Sequence, residues 1–188
     1  MLSLKEYYNT IELNQLNEGN ELQQRVNKHI TKGVSIGAIS PEGPHTDTPE
    51  KLEHAHKVMK LDLEAARKGG HIGGWSGPHK GQYKYDDSPD SVAKESSYLV
   101  HAKNSHENSH HTMVGALSRI GEKHNQESVL SVSADKSAKW HYLKGEHAGK
   151  TENKGKMKYD RELKYNKETG EGTGRTEMKK GGHSFTSV

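Results

Sequence analysis

"SSYLVHA", residues 96–102, alternates side chains so that Tyr98 and Val100 share one side and Leu99 and His101 the other. Alternation with period two, in β-branched and aromatic residues, predicts a strand. What flanks this strand decides the fold. Upstream, "HIGGWSGPHKGQYKY" (71–85) is glycine-rich and ends in the alternating pair Tyr83 and Tyr85. It reads as an irregular strand with a turn at Gly77-Pro78, joined to the first by the polar loop "DDSPDSVAKE". Downstream, Met113, Leu117 and Ile120 recur at helical spacing, and His124-Asn125 ends that helix.

The pattern repeats outward. "VSIGAIS" (34–40) predicts a strand, and "PEGPHTDTP" a loop. Thr48 followed by Pro49 supplies an N-cap and a first-position proline. Leu52, Ala55, Met59, Leu63 and Ala66 then line one face of a helix that stops at Gly69-Gly70. "ESVLSVSA" (127–134) and "AKWHYL" (138–143) are two more strands. The order βαββαβ plus one strand predicts an α+β chain built as a ferredoxin-like, split-βαβ sandwich. Leu63, Leu99, Leu117, Ile120 and Val129 are the expected core, between two helices and the sheet.

Three segments follow from this. Residues 1–33 are helical, with Leu4, Tyr7, Tyr8, Ile11, Leu22, Val26 and Ile30 as a narrow apolar stripe. Residues 34–145 form the α+β domain. Residues 146–188 are rich in Gly and Lys and are expected to be a basic arm without a fold of its own.

Composition narrows the function classes. Only 29% of the 188 residues are hydrophobic, enough for one modest core. The chain has no Cys, which removes disulfides, thiolate metal sites and Cys nucleophiles. No apolar run reaches membrane-spanning length, and "MLSLKEYYNTIEL" lacks the apolar region of a signal peptide, so a virion or host-cytoplasmic location without signal-peptide secretion is expected. The net charge of +3 is uneven: the basic excess lies after Lys136, and the residues before it are net acidic.

Few motifs carry chemistry. "HAKNSHENSHH" (101–111) brings together His101, His106, His110 and His111. His106 and His110 would share a helix face, making His106, His110 and His111 the candidate metal ligands. Asn104, Ser105, Asn108 and Ser109 instead favour a solvated loop, with Ser109 capping the helix that follows. The glycines around His71, His79 and Lys80 precede a strand rather than a helix, so a phosphate-cradling loop is excluded, although Trp75, His79 and Gln82 could edge a ligand. Glu95 and Glu127 both stand at strand entrances and form no acid–base pair. No GxSxG elbow surrounds Ser96-Ser97. No catalytic residue and no cofactor is assigned.

Several stretches resemble a small domain of unknown function found in bacteria and their phages. They are "GAISPEGPH", "LEHAHKVMKLDLEAARKGG", Gly81-Gln82-Tyr83, Glu95-Ser96 to Leu99-Val100, and Gly121 through Gln126 to Val129. The resemblance spans residues 34–143, and the "SFT" ending is similar to small phage-encoded versions. Gly43-Pro44 stands where the group often has Arg-Pro, so any role of that Arg is absent. The resemblance implies no activity. The expectation is a non-catalytic phage-encoded virion or accessory protein whose termini bind other virion or phage proteins, or a second copy. Interaction candidates are Trp75, Tyr83, Tyr85, Lys156, Lys158, Arg161, Arg175 and Phe185. The alternatives are a nucleic-acid binder using the sheet tyrosines and the basic arm, and a His/Glu metal-dependent hydrolase. No membrane contact is expected.

Overall fold

The computed structural model describes residues 29, 31–43, 45–84, 92–160, 174–178 and 183–187. Nearly all of the expected N-terminal helix, together with Tyr85 and Arg161, lies outside the described residues. The chain is α+β, with the elements β1 (Ile36–Ile39), α1 (Pro49–Lys68), β2 (Gly74–Lys84), β3 (Val92–His101), α2 (Glu107–Lys123), β4 (Ser128–Val132), β5 (Ser137–Tyr142), β6 (Thr151–Asp160), β7 (Gly174–Met178) and β8 (His183–Ser187). Helix α1 starts as its sequence dictates. Thr48 is the N-cap and its hydroxyl accepts from the Lys51 amide, while Pro49 fills the first turn, where an N–H has no partner to lose.

The strands are antiparallel and close in the order β1-β3-β2-β7-β8-β6-β5-β4. This differs from the expected ferredoxin-like sandwich with one extra strand, whose sheet would have two open edges. Strands β5, β6, β8 and β7 carry the sheet on from β4 and return it to β2. The segment read as a basic arm supplies three of them. Its low apolar content hid this, because a strand paired on both sides gains main-chain hydrogen bonds that composition does not record.

Both helices pack on one face of the β1, β3, β2 and β4 wall. Met59, Leu63 and Ala66 of α1 meet Met113, Ala116, Leu117 and Ile120 of α2 over Ile39, Tyr98, Val100 and Val129. Gly37 makes the close approach possible: a Cβ there would run into Leu117 Cδ1 and the Leu130 carbonyl. Leu63, Leu117, Ile120 and Val129 fill the expected roles. Leu99 is buried but stands on the opposite face, as its alternation with Tyr98 and Val100 requires.

Two boundaries move. Helix α2 begins at Glu107, five residues before the expected Thr112. Ser109 is therefore inside its first turn and caps nothing. Its hydroxyl donates to Asn104 Oδ1, which also accepts the His106 amide at 3.0 Å. Strand β3 begins at Val92, so Glu95 lies within it rather than at its entrance.

Candidate functional site

The sheet is uneven on one side. Strand β2 pairs with β3 from Gly74 to Lys84 across a bulge, but among the described residues it pairs with β7 only at Gly81, Gln82 and Tyr83. The register of β2 shifts between Ser76 and His79, where Gly77 has a φ of 125° and the Gly77–Pro78 bond is cis. A left-handed glycine followed by a residue without an N–H cannot continue a ladder. Beyond this bulge the first residues of β2 border a cavity of about 410 Å³ instead of a neighbouring strand.

Each wall of the cavity has a local cause. Helix α1 ends at Gly69, Gly70 turns with a φ of 74°, and buried Ile72 anchors the chain before it enters β2. Gly73 and Gly74 then lie flush against the His101 ring. A Cβ on Gly73 would stand 2.6 Å from that ring, and one on Gly74 2.7 Å from its Nε2. His101 Nδ1 is 2.9 Å from the Ala102 carbonyl, an acceptor only. That nitrogen therefore carries a proton and donates, and Nε2 faces Gly74. His29 stacks on the same ring, with centroids 3.9 Å apart and planes 18° from parallel.

The opposite wall comes from the helix side. Trp75 packs edge-on against buried Tyr98, at 5.7 Å between centroids. Glu64 is gripped by Arg67 through two hydrogen bonds of 2.8 and 2.6 Å, and the Trp75 side chain adds a smaller stabilisation of its charge. The Arg67 hydrogen bonds are the main reason the Glu64 carboxyl is held down at about 2, so the pair stays ionised across the working pH range. Ile36 and Leu99 on one face of the sheet, and Val100 on the other, also border the cavity.

Behind Trp75 the support is polar and buried. The Tyr98 hydroxyl lies 2.9 Å from His56 Nδ1, and His56 Nε2 lies 3.7 Å from Glu42 Oε1. Glu42 accepts the Ser96 amide at 2.8 Å, and its carbonyl accepts from Gln126 at 2.8 Å. This network ties the β1–α1 loop to α1, β3 and the end of α2. It fixes Tyr98 from behind, and through Tyr98 the position of Trp75.

Of the interaction candidates, Trp75 borders the cavity. Lys156 lies elsewhere, held 2.6 Å from Asp135 Oδ2. Tyr83, Lys158, Arg175 and Phe185 are placed by their main chain, opposite Gly174, Thr186, Gln82 and Tyr159 respectively. His79 is buried and its ring meets Ser76 Oγ at 3.2 Å.

The histidine-rich stretch divides. His106 is exposed just before α2, and His111 is exposed 3.5 Å from Glu107. His110 turns partly inward, where burial, His111 and Lys139 lower its pKa. His110 thus departs from the solvated loop expected of this stretch, since it lies within the first turns of α2 and is partly buried. Its inward neighbour is His141 of β5, whose Nε2 is 2.7 Å from Ser131 Oγ. Among the described residues, no three His, Cys, Asp or Glu side chains converge on a point that could hold a metal ion.

Sequence reading missed Glu64, Arg67, His29 and the Gly73-Gly74 pair as site residues. The spacing of Glu64 and Arg67 signals an ion pair on a helix face, but nothing in it points to Trp75. The chain matches no protein-family model and no curated protein. Among the described residues, no helix is long and apolar enough to cross a membrane.

Proposed function

We propose that this chain is a non-catalytic, phage-encoded virion or accessory protein that works by binding other proteins. The observation that carries the reading is the cavity beside Trp75, where the sheet wall is interrupted and main chain, an indole and a paired carboxylate border one opening. Such a place offers contact surface: Ser76 on its border is turned to the buried His79 ring at 3.2 Å, and no GxSxG elbow surrounds that serine. The phage assignment rests on the resemblance of residues 34–143. The βαββαβ element order supports reading β4-β1-β3-β2 with α1 and α2 as a ferredoxin-like kernel to which β5–β8 are added.

The cavity puts one binding surface in the middle of the chain, whereas the described C-terminal strands are engaged in the sheet. The test is cross-linking followed by mass spectrometry, on purified particles and on infected cells. Cross-links from the α1–β2 region to another virion or phage protein, or to a second copy, are expected. Retention that depends on nucleic acid and vanishes with nuclease would replace this reading with the nucleic-acid one. Turnover of an ester or amide substrate that requires added zinc would replace it with the hydrolase.

A further inference from the structure

We propose that the cavity beside Trp75 receives an extended segment of a partner protein, which adds to the outer edge of β2 as a short strand. The proposal rests on the protein-binding reading above and names the chemistry of the contact. Its basis is the direction in which the main chain of β2 points.

The Ala102 amide donates to the Ser35 carbonyl at 2.8 Å, while Ile36 stands opposite His101. In an antiparallel ladder, residues of one strand turn their N–H and C=O alternately to either neighbour. Val100 and Ala102 therefore face β1, and Leu99 and His101 face β2. Their partners on β2 are Ser76 and Gly74, which must turn toward β3. Trp75, between them, turns its N–H and C=O outward.

Outward of Trp75, no described residue pairs with the main chain of β2. β7 meets β2 no earlier than Gly81, and the bulge at Gly77-Pro78 separates that pairing from Trp75. An unpaired edge is a template for a further strand, and addition to an edge is an established way for a domain to hold an extended peptide. The glycines at 73 and 74 add no side chain of their own, and the His101 ring covers one face of them.

Charge selects the occupant. The formal charges of the lining, Glu64 and Arg67, cancel each other across hydrogen bonds of 2.6 and 2.8 Å. A phosphate-rich strand would meet the Glu64 carboxylate, and a lone cation would meet Arg67. A neutral main chain meets neither penalty. Its side chains on one face would rest on Ile36 and Leu99, and so should be uncharged.

The test uses the full-length, untagged protein and a phage-displayed library of random short peptides. Enriched peptides are synthesised and titrated while amide exchange is followed by NMR. The expected result is a peptide that slows exchange of the Trp75 amide by about tenfold or more, as a new main-chain hydrogen bond does. Ser76→Tyr, which places a ring in the cavity, should weaken that peptide by about tenfold or more, roughly the loss of one good contact. If Ser76→Tyr does not fold, the exchange pattern of the unmodified protein still decides. Failure to enrich any peptide, protection confined to other amides, or protection of Trp75 by a single-stranded oligonucleotide instead would overturn the proposal. Cross-links to phage proteins without Trp75 protection would sink this inference alone. Trp75 protection without any phage partner would sink the broader reading alone.

Discussion

His124 Nε2 lies 2.8 Å from Asp62 Oδ2, fastening the end of α2 to the middle of α1. Lys123 reaches the other oxygen at 2.6 Å. Burial works against the Asp62 charge, but the hydrogen bonds from Lys123 and His124 outweigh it and keep the carboxyl below its ordinary value. A depressed carboxyl stabilises the fold above its unfolded pKa, and that contribution is lost as pH falls through the folded value. Asp62→Asn should therefore cost about 1–2 kcal/mol at pH 7, allowing for the exposed Lys123, and little in strong acid. Urea titrations at both pH values check it, and an equal loss at both would rule out the charge as the cause.

Gly37 and Leu117 occupy one space from opposite sides. Leu117 is fully buried, so Leu117→Ala should cost about 2–5 kcal/mol by lost transfer energy and the cavity left behind. Gly37→Ala adds a methyl against Leu117 Cδ1 and should cost about 1–3 kcal/mol by overpacking. Together the two should cost less than their sum, because the truncated Leu117 makes room for the new methyl. Strict additivity in denaturant melts would mean that the pair does not share this space.

These two contacts mark what the sequence makes legible. The Leu117 face, the Leu63 face and the Thr48-Pro49 start of α1 follow from periods and caps, which are local and depend on few neighbours. The alternation of "SSYLVHA" likewise assigns Tyr98 and Leu99 to opposite faces. Closure of the sheet is not local. It depends on Arg175 standing opposite Gln82 and on Phe185 standing opposite Tyr159, in segments whose composition reads as tail. The cavity was half legible: Trp75 among glycines attracted notice, but Glu64, Arg67 and His29 reach it only through the packing of distant segments. His56 in the α1 face has the same explanation, since its partners Tyr98 and Glu42 come from other elements.

His79 should make the fold acid-sensitive in a defined window. Burial lowers its pKa to about 4, whereas an unfolded histidine takes its proton near 6.5. Between those values the unfolded state binds the extra proton, so stability falls as pH drops from about 6.5 to about 4 and then levels off. The whole loss attributable to His79 is on the order of 3 kcal/mol. His110 and His141 are shifted in the same direction, so a pH profile alone does not separate the three. His79→Gln should flatten the window while keeping a side chain able to reach Ser76. An unchanged slope in that variant would place the acid sensitivity elsewhere.

The histidine-rich stretch supports one more expectation. Zinc in a structural site takes four ligands, held at about 2 Å by a scaffold that does not have to be ordered for the purpose. His106 and His111 are exposed, and His111 lies beside Glu107 on the outer surface of the first turn of α2. His110 faces inward toward His141, and His141 is already engaged with Ser131 and, at 3.3 Å, with Thr151. His106 stands exposed at the N-cap while His110 turns inward, so recruiting both to one ion would require turning His110 out of its partly buried place and ordering an exposed side chain. Untagged protein should therefore carry no stoichiometric zinc, nickel or copper by elemental analysis. His106→Ala and His111→Ala should each change stability by less than about 0.5 kcal/mol, as surface substitutions do. His110→Ala should cost more, because it empties a partly buried site between α2 and β5. One equivalent of zinc, lost in both His106→Ala and His110→Ala, would show instead that His110 turns outward to make a site, and would bring the hydrolase reading forward.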